Sequence, residues 1–395
     1  MSNPLFSVGT SRGGTTFFAR MLSINVEVKM ASDPFLPLFR SFRTAVLQNK
    51  IDPGFSVAQP LNDYYFSDDK IAMMKAIQCS DLRFSLPSGE LERLVPELSA
   101  RMSLAAQEVT PFLKELQGAT YEQLFASGLH ILEKAYGAES AAWVGFNDNW
   151  VIEFLPILAR AFPNSKCIIV IRDPRAAMAS SLKLRERDPS KAGKVPLMYS
   201  FARHWRKHAA FAHMLTQDPA LHGRIYLLRY EDLASDPARI IKELCVFLGV
   251  DYDEAMLDTD KFRPLKGTEW KVHSNFKVPE KGVYTESIEA WKEYLPKGTV
   301  EFIEFVCDPE MRLFGYETKE YQGGLPTEAV MSFLKEDDAR AVGWRNNYDT
   351  WETEYERELL RKKILTPSHT DISLSDKEKN FLFKQVYDAL LPYAR

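Results

Sequence analysis

The chain has 395 residues, 45% hydrophobic and 26% charged, with a formal net charge of −4. That composition supports a large buried core and excludes a disordered chain; the length suits two or three domains, or one α/β domain with insertions. Fifty basic against 54 acidic residues leave no global basic excess, which argues against a nucleic-acid-binding protein.

Apolar runs such as Ile168–Ile171 fall far short of the roughly 20 residues a membrane helix needs, and Gly9 and Arg12 interrupt the amino terminus where a signal peptide would stay apolar. Cysteines 79, 167, 245 and 307 are widely spaced and form no disulfide or zinc pattern. We expect reduced, mostly buried thiols in a cytoplasmic protein.

Pro4 to Val8 predicts a strand that runs through Gly9 into a small polar loop. Phe17, Phe18, Met21 and Leu22 then mark a helix by their spacing. Val26 to Met30 alternates like a short strand, and Pro34 stops it, so Asp33 is expected at a strand end. Residues 35 to 140 read as a largely helical insertion, with one helix from Tyr121 to Tyr136 stopped by Gly137.

The turn Phe146-Asn147-Asp148-Asn149-Trp150 is followed by a helix from about Asn149 to Ala161, with Asp148 or Asn149 as its N-cap. Cys167 to Ile171 is apolar at every position, as a strand covered on both faces requires. Arg172-Asp173-Pro174 follows, with Pro174 placed to open a helix. The pattern repeats with a strand at Ile225–Leu228, a loop at Arg229–Leu233, and a helix opened by Asp236-Pro237 and closed before Gly249.

Charged helices such as Trp351–Lys363 and Asp376–Leu391 complete the chain. The expected fold is therefore α/β: a central parallel sheet flanked by helices, with residues 1–316 as the main domain. Residues 317–395 are expected as a helical extension packed on it.

Gly9-Thr10-Ser11-Arg12-Gly13-Gly14-Thr15-Thr16 lies between a strand and a helix, where backbone amides and the helix dipole attract an anion. The glycines stand at Walker A spacing, but Thr15 occupies the lysine position, so the cation is Arg12 inside the loop. A kinase or NTPase with a degenerate loop is the first rival this leaves. A non-catalytic nucleotide-binding protein is the second.

The stretch Pro4 to Leu22 resembles the 5′-phosphosulfate loop of sulfotransferases that use 3′-phosphoadenosine 5′-phosphosulfate. Ile169 to Ser180 resembles that family's 3′-phosphate site, with Arg172 and Ser180 in the phosphate-holding positions. The resemblance implies a P-loop-NTPase-like fold and sulfuryl transfer to a small-molecule hydroxyl, in preference to an amine, with no metal. It also implies nucleotide contacts from Arg12, Gly13, Gly14, Thr15, Thr16, Arg172, Ser180 and Tyr230. Asn275 to Tyr284 is similar to the family's nucleotide-covering segment, and Lys281 is the cation chosen within it.

Arg12 would also neutralise the leaving oxygen, making it catalytic as well as a ligand. Asp33 matches the family's acidic base, with His130 in reserve. The family often places a lysine where this chain has Asn147; that residue could donate a neutral hydrogen bond instead. His204 and His208, one helical turn apart, lack a supporting third metal ligand. Arg203, Arg206 and Lys207 read as a solvated basic face, and Asn62 to Asp69 as a surface loop.

Overall fold

The computed structural model describes residues 2–61, 63–187, 198–258, 261, 285–324, 332, 335, 350–366 and 371–394. Among these, five strands form one parallel sheet: β1 (Asn3–Gly9), β2 (Val28–Ser32), β3 (Trp143–Asp148), β4 (Lys166–Ile171) and β5 (Ile225–Arg229). Their spatial order is β2-β3-β1-β4-β5. The chain leaves β1 toward β2 on one side and leaves β4 toward β5 on the other. The topological switch point therefore lies between β1 and β4, at their carboxyl ends.

The intervening helices are α1 (Thr15–Ile24), α2 (Leu36–Lys50), α3 (Asp68–Gln78), α4 (Glu90–Ala105), α5 (Tyr121–Tyr136), α6 (Leu155–Ala161), α7 (Pro174–Arg187) and α8 (Met198–Thr216). After β5 come α9 (Tyr230–Ser235), α10 (Pro237–Leu248), α11 (Glu286–Glu289), α12 (Trp291–Tyr294) and α13 (Lys297–Leu313). The last are α14 (Trp351–Leu365), α15 (Leu374–Phe381) and α16 (Lys384–Leu390).

Alternation along the strands divides the core. Leu5, Ile168 and Val170 face α1 and α10, packing on Phe18, Leu22, Ile241 and Leu244. Phe6, Val8, Cys167 and Ile169 face the other way, toward apolar residues of α2, α5, α6 and α8. This double cover explains why β4 is apolar at almost every position.

Several local expectations need correction. Val26 is exposed in the turn before β2, which runs two residues later than predicted. The Arg229–Leu233 stretch is not a loop throughout, because α9 begins at Tyr230. The predicted helix from 376 to 391 breaks at Leu382, whose φ is 65°.

The largest difference is β3. Phe146, Asn147 and Asp148 are strand residues rather than a turn, and every position of β3 is buried. Gly145 and the polar Asn147-Asp148 pair break the apolar pattern that would have revealed it. The glycine is required, since a Cβ at 145 would stand 1.6 Å from the Leu5 carbonyl oxygen across the β1 pairing.

The presumed basic face of α8 is also interior. Arg203 pairs with Asp63 at 2.7 Å and Glu354 at 2.9 Å, Arg206 with Glu358 at 2.7 Å, and Lys207 with Glu153 at 3.0 Å. Guanidinium and ammonium groups are buried here because each meets a carboxylate. The presumed surface loop carries Tyr64 and Tyr65 into the core, while Asp68 and Asp69 stay exposed. Among the described residues, no helix is long and apolar enough to cross a membrane.

Candidate active site

The carboxyl ends of the strands bring Arg12, Asp33, Asp148, Arg172 and Tyr230 to one edge of the sheet. The first loop is tightly folded: the Gly13 amide donates to the Thr10 carbonyl at 2.9 Å, and Arg12 and Gly14 take φ of 65° and 88°. Gly14 also meets a second requirement, because a Cβ there would lie 2.4 Å from Cδ2 of Tyr230. The tyrosine ring thus rests against the loop. Thr15 opens α1, with Thr16 next to it.

The second predicted anion motif meets the first directly. Arg12 Nε donates to Ser180 Oγ at 3.2 Å, and Arg172 Nη1 donates to the Arg12 carbonyl at 3.0 Å. Arg172 stacks over the Tyr230 ring, 4.2 Å from its centroid, and its Nη2 donates to the Ser287 carbonyl at 2.8 Å. The Tyr230 and Ser287 hydroxyls are hydrogen-bonded at 2.9 Å. Around these contacts Thr10 Oγ1 and Arg172 Nε are buried with no hydrogen-bond partner among the described residues. Those are donors that a bound anion would satisfy.

Asp33 follows β2 with φ 47°, a strained setting for a non-glycine residue. Its amide donates to the Asn147 carbonyl at 2.8 Å. Arg101, from α4, donates through Nε to the Asp33 carbonyl at 3.0 Å and stands 3.4 Å from its carboxylate. Burial raises the Asp33 pKa above its ordinary value, opposed by the Arg101 charge and the Asn149 amide. Asp148, wholly buried, is pushed well up, first by burial and then by the negative charge of Asp33.

Asp148 Oδ1 accepts the Trp150 amide at 2.9 Å, so Asp148 caps a turn rather than a helix. The Asn147 side chain is fully buried and accepts from the Ser32 hydroxyl at 3.1 Å, while its Nδ2 finds no hydrogen-bond partner among the described residues. Asn149 instead reaches the loop, accepting from Thr15 Oγ1 at 2.8 Å. His130 does not join this edge: it pairs with Glu133, whose carboxylate receives the Ser2 amide beside the opening of β1. Lys281 lies outside the described residues.

His204 and His208 stack edge to face at 4.6 Å, and His208 Nε2 meets the Asn149 carbonyl at 3.1 Å. Burial, then Lys207, holds the His208 pKa far below its ordinary value. Arg101 and Ser287 have no sequence signal that points here. Both reach the site only through the tertiary fold.

A family model described as "Sulfotransferase family" matches residues 4–254. Among curated relatives, "Carbohydrate sulfotransferase 3" of Tetronarce californica is 29% identical over 182 residues, covering 42% of this chain and 39% of the relative. An "Uncharacterized protein" of Aquifex aeolicus is 26% identical over 258 residues, covering 62% of this chain and 32% of the relative. The chain thus spans well under half the length of these two relatives. The structure titled "Sulfotransferase Domain from the Curacin Biosynthetic Pathway" is 18% identical with a TM-score of 0.46, covering 81% of this chain and 99% of that one.

Proposed function

Because the chain belongs to the sulfotransferase family, its match extending over residues 4–254, we propose that it moves a sulfuryl group from 3′-phosphoadenosine 5′-phosphosulfate to an acceptor hydroxyl. The observation that carries this reading is the direct junction of two anion-binding motifs, Arg12 with Ser180 and Arg172 with the Arg12 carbonyl.

The donor nucleotide supplies the activated sulfuryl group. In this reading Arg12, Gly13, Gly14, Thr15 and Thr16 hold its 5′ end, while Arg172 and Ser180 hold the 3′-phosphate. Tyr230 backs the adenosine half, and Lys281 adds a covering cation. As the acceptor oxygen bonds to sulfur, the sulfur–oxygen bond to the phosphate breaks and negative charge stays on the departing oxygen. Arg12 and the loop amides neutralise that charge in place, which is where preorganised donors act most strongly. Asp33 takes the hydroxyl proton, and its raised proton affinity suits that task.

The acceptor is a small molecule bearing a hydroxyl, bound over the carboxyl edge of the sheet. The name of the Tetronarce californica relative, a carbohydrate sulfotransferase, favours a second acceptor class, a sugar hydroxyl. Incubation with radiosulfur-labelled donor and a panel of phenols, alcohols, saccharides and amines tests the reading. Labelled O-sulfated product, formed in step with the desulfo nucleotide, is expected. Magnesium-dependent ATP turnover without sulfuryl transfer would overturn the reading in favour of an NTPase.

A further inference from the structure

Two carboxylates end adjacent strands at this site. Ser32 and Asn147 are register partners in the β2–β3 pairing, and Asp33 and Asp148 are the residues that follow them. Asp33 Oδ1 and Asp148 Oδ2 are both buried and find no hydrogen-bond partner among the described residues. The remaining oxygens are engaged: Asp33 Oδ2 with Arg101 at 3.4 Å, Asp148 Oδ1 with the Trp150 amide at 2.9 Å, and the Asn149 amide also lies against the Asp33 carboxylate. A buried carboxylate oxygen left unpaired is costly unless a proton is present to be shared.

We propose that Asp33 and Asp148 hold one proton between them, carried on Asp148 Oδ2 and donated to Asp33 Oδ1. Asp33 Oδ2 is then left to face Arg101 and the acceptor. This deepens the proposed function and rests on Asp33 being its proton acceptor: the hydroxyl proton goes to Asp33 Oδ2, while Asp148 keeps its own. Asp148 acts through Asp33 and is a positioning residue.

The charges around the pair favour a single proton over none. Arg101, from α4, is the cation directly against it. Glu153, before α6, adds negative charge but is paired with Lys207 of α8. His208, also of α8, is held neutral by burial and Lys207. With Asp148 wholly buried, Asp33 half-buried and Arg101 beside the pair, ionising the second carboxylate costs more than ionising the first, so their protons leave in two linked steps.

The test is a carboxyl-carbon NMR titration of the nucleotide-free enzyme labelled at aspartate, with the pH profile of turnover beside it. In the wild type, Asp33 and Asp148 should each report the same two steps, separated by about one pH unit or more. In Asp148→Asn, Asp33 should titrate once, and the upper step should vanish from both the spectrum and the kinetic profile. A single Asp33 step in the wild type, unmoved by Asp148→Asn, overturns the shared proton. Should Asp148→Asn fail to fold, Asp33→Asn gives the reciprocal reading: Asp148 must collapse to one step, and two-step or unaltered titration refutes the pair. Full turnover in Asp33→Asn would instead remove Asp33 as the base, leaving the carboxyl titration to decide the pair by itself.

Discussion

As the proposed base, Asp33 needs both access to the acceptor and a proton affinity above that of an ordinary aspartate. Its backbone is held directly after β2 by a positive φ and by Arg101 across its carbonyl. Burial raises the proton affinity. Asp33→Asn should lower turnover by roughly 10²–10⁴-fold, the usual contribution of a positioned base, and leave nucleotide affinity unchanged by calorimetry. Wild-type turnover should fall on the acid side at a pH above the ordinary aspartate range, since the active form is deprotonated and the pKa is raised. Turnover that persists unchanged down to the ordinary aspartate range would contradict this.

The same residues show what could be read in advance. Arg12, Arg172, Ser180 and Tyr230 sit in short motifs that are legible locally, although the contacts joining those motifs span as many as 168 positions. Arg101 is 68 positions from Asp33, and only the placement of α4, packed on α2, joins them.

At the scale of elements, the sequence made β1, β4 and β5 visible because each has an apolar run ending in turn or charge signals. The helix from Tyr121 to Tyr136 was legible for the same reason, with Thr120 and Gly137 as its caps. β3 was hidden because its middle residue is glycine and its end is polar. That glycine answers a contact with β1, which is a property of the assembled sheet and not of the local pattern. Gly145→Ala should therefore cost more than about 3 kcal/mol in urea unfolding, as a clash with backbone cannot be relieved by a rotamer change. A loss below about 1 kcal/mol would mean that the β1–β3 spacing is wider than described.

Across the whole molecule, α14 is fastened to α8 by charge. Glu354 and Glu358 reach Arg203 and Arg206, Tyr199 donates to Glu358 at 2.5 Å, and Arg361 of α14 pairs with Glu310 of α13. A helical pattern cannot distinguish these charges from a solvated face, because their partners lie on distant elements. Burial alone would raise the Glu358 pKa, but Arg206 and Arg361 outweigh it and hold it low. Its contribution to stability is therefore present above the ordinary glutamate range and lost as pH falls through the depressed folded value. Glu358→Gln leaves Arg206 buried without its counter-charge and should cost about 3–5 kcal/mol at neutral pH. An unchanged thermal midpoint would show that α14 is not held through this pair.

In the proposed function one nucleotide is held at both phosphate ends, by Arg12 and its loop at one and by Arg172 and Ser180 at the other. Isothermal calorimetry with 3′-phosphoadenosine 5′-phosphate, AMP and ATP, on the wild type and on Ser180→Ala and Arg172→Ala, tests this most directly. The wild type should bind the 3′-phosphorylated nucleotide at least roughly tenfold more tightly than AMP, equivalent to about 1.4 kcal/mol, and both variants should lose that preference while still binding AMP. Equal affinity of the wild type for all three nucleotides, or a preference that survives both substitutions, would contradict it.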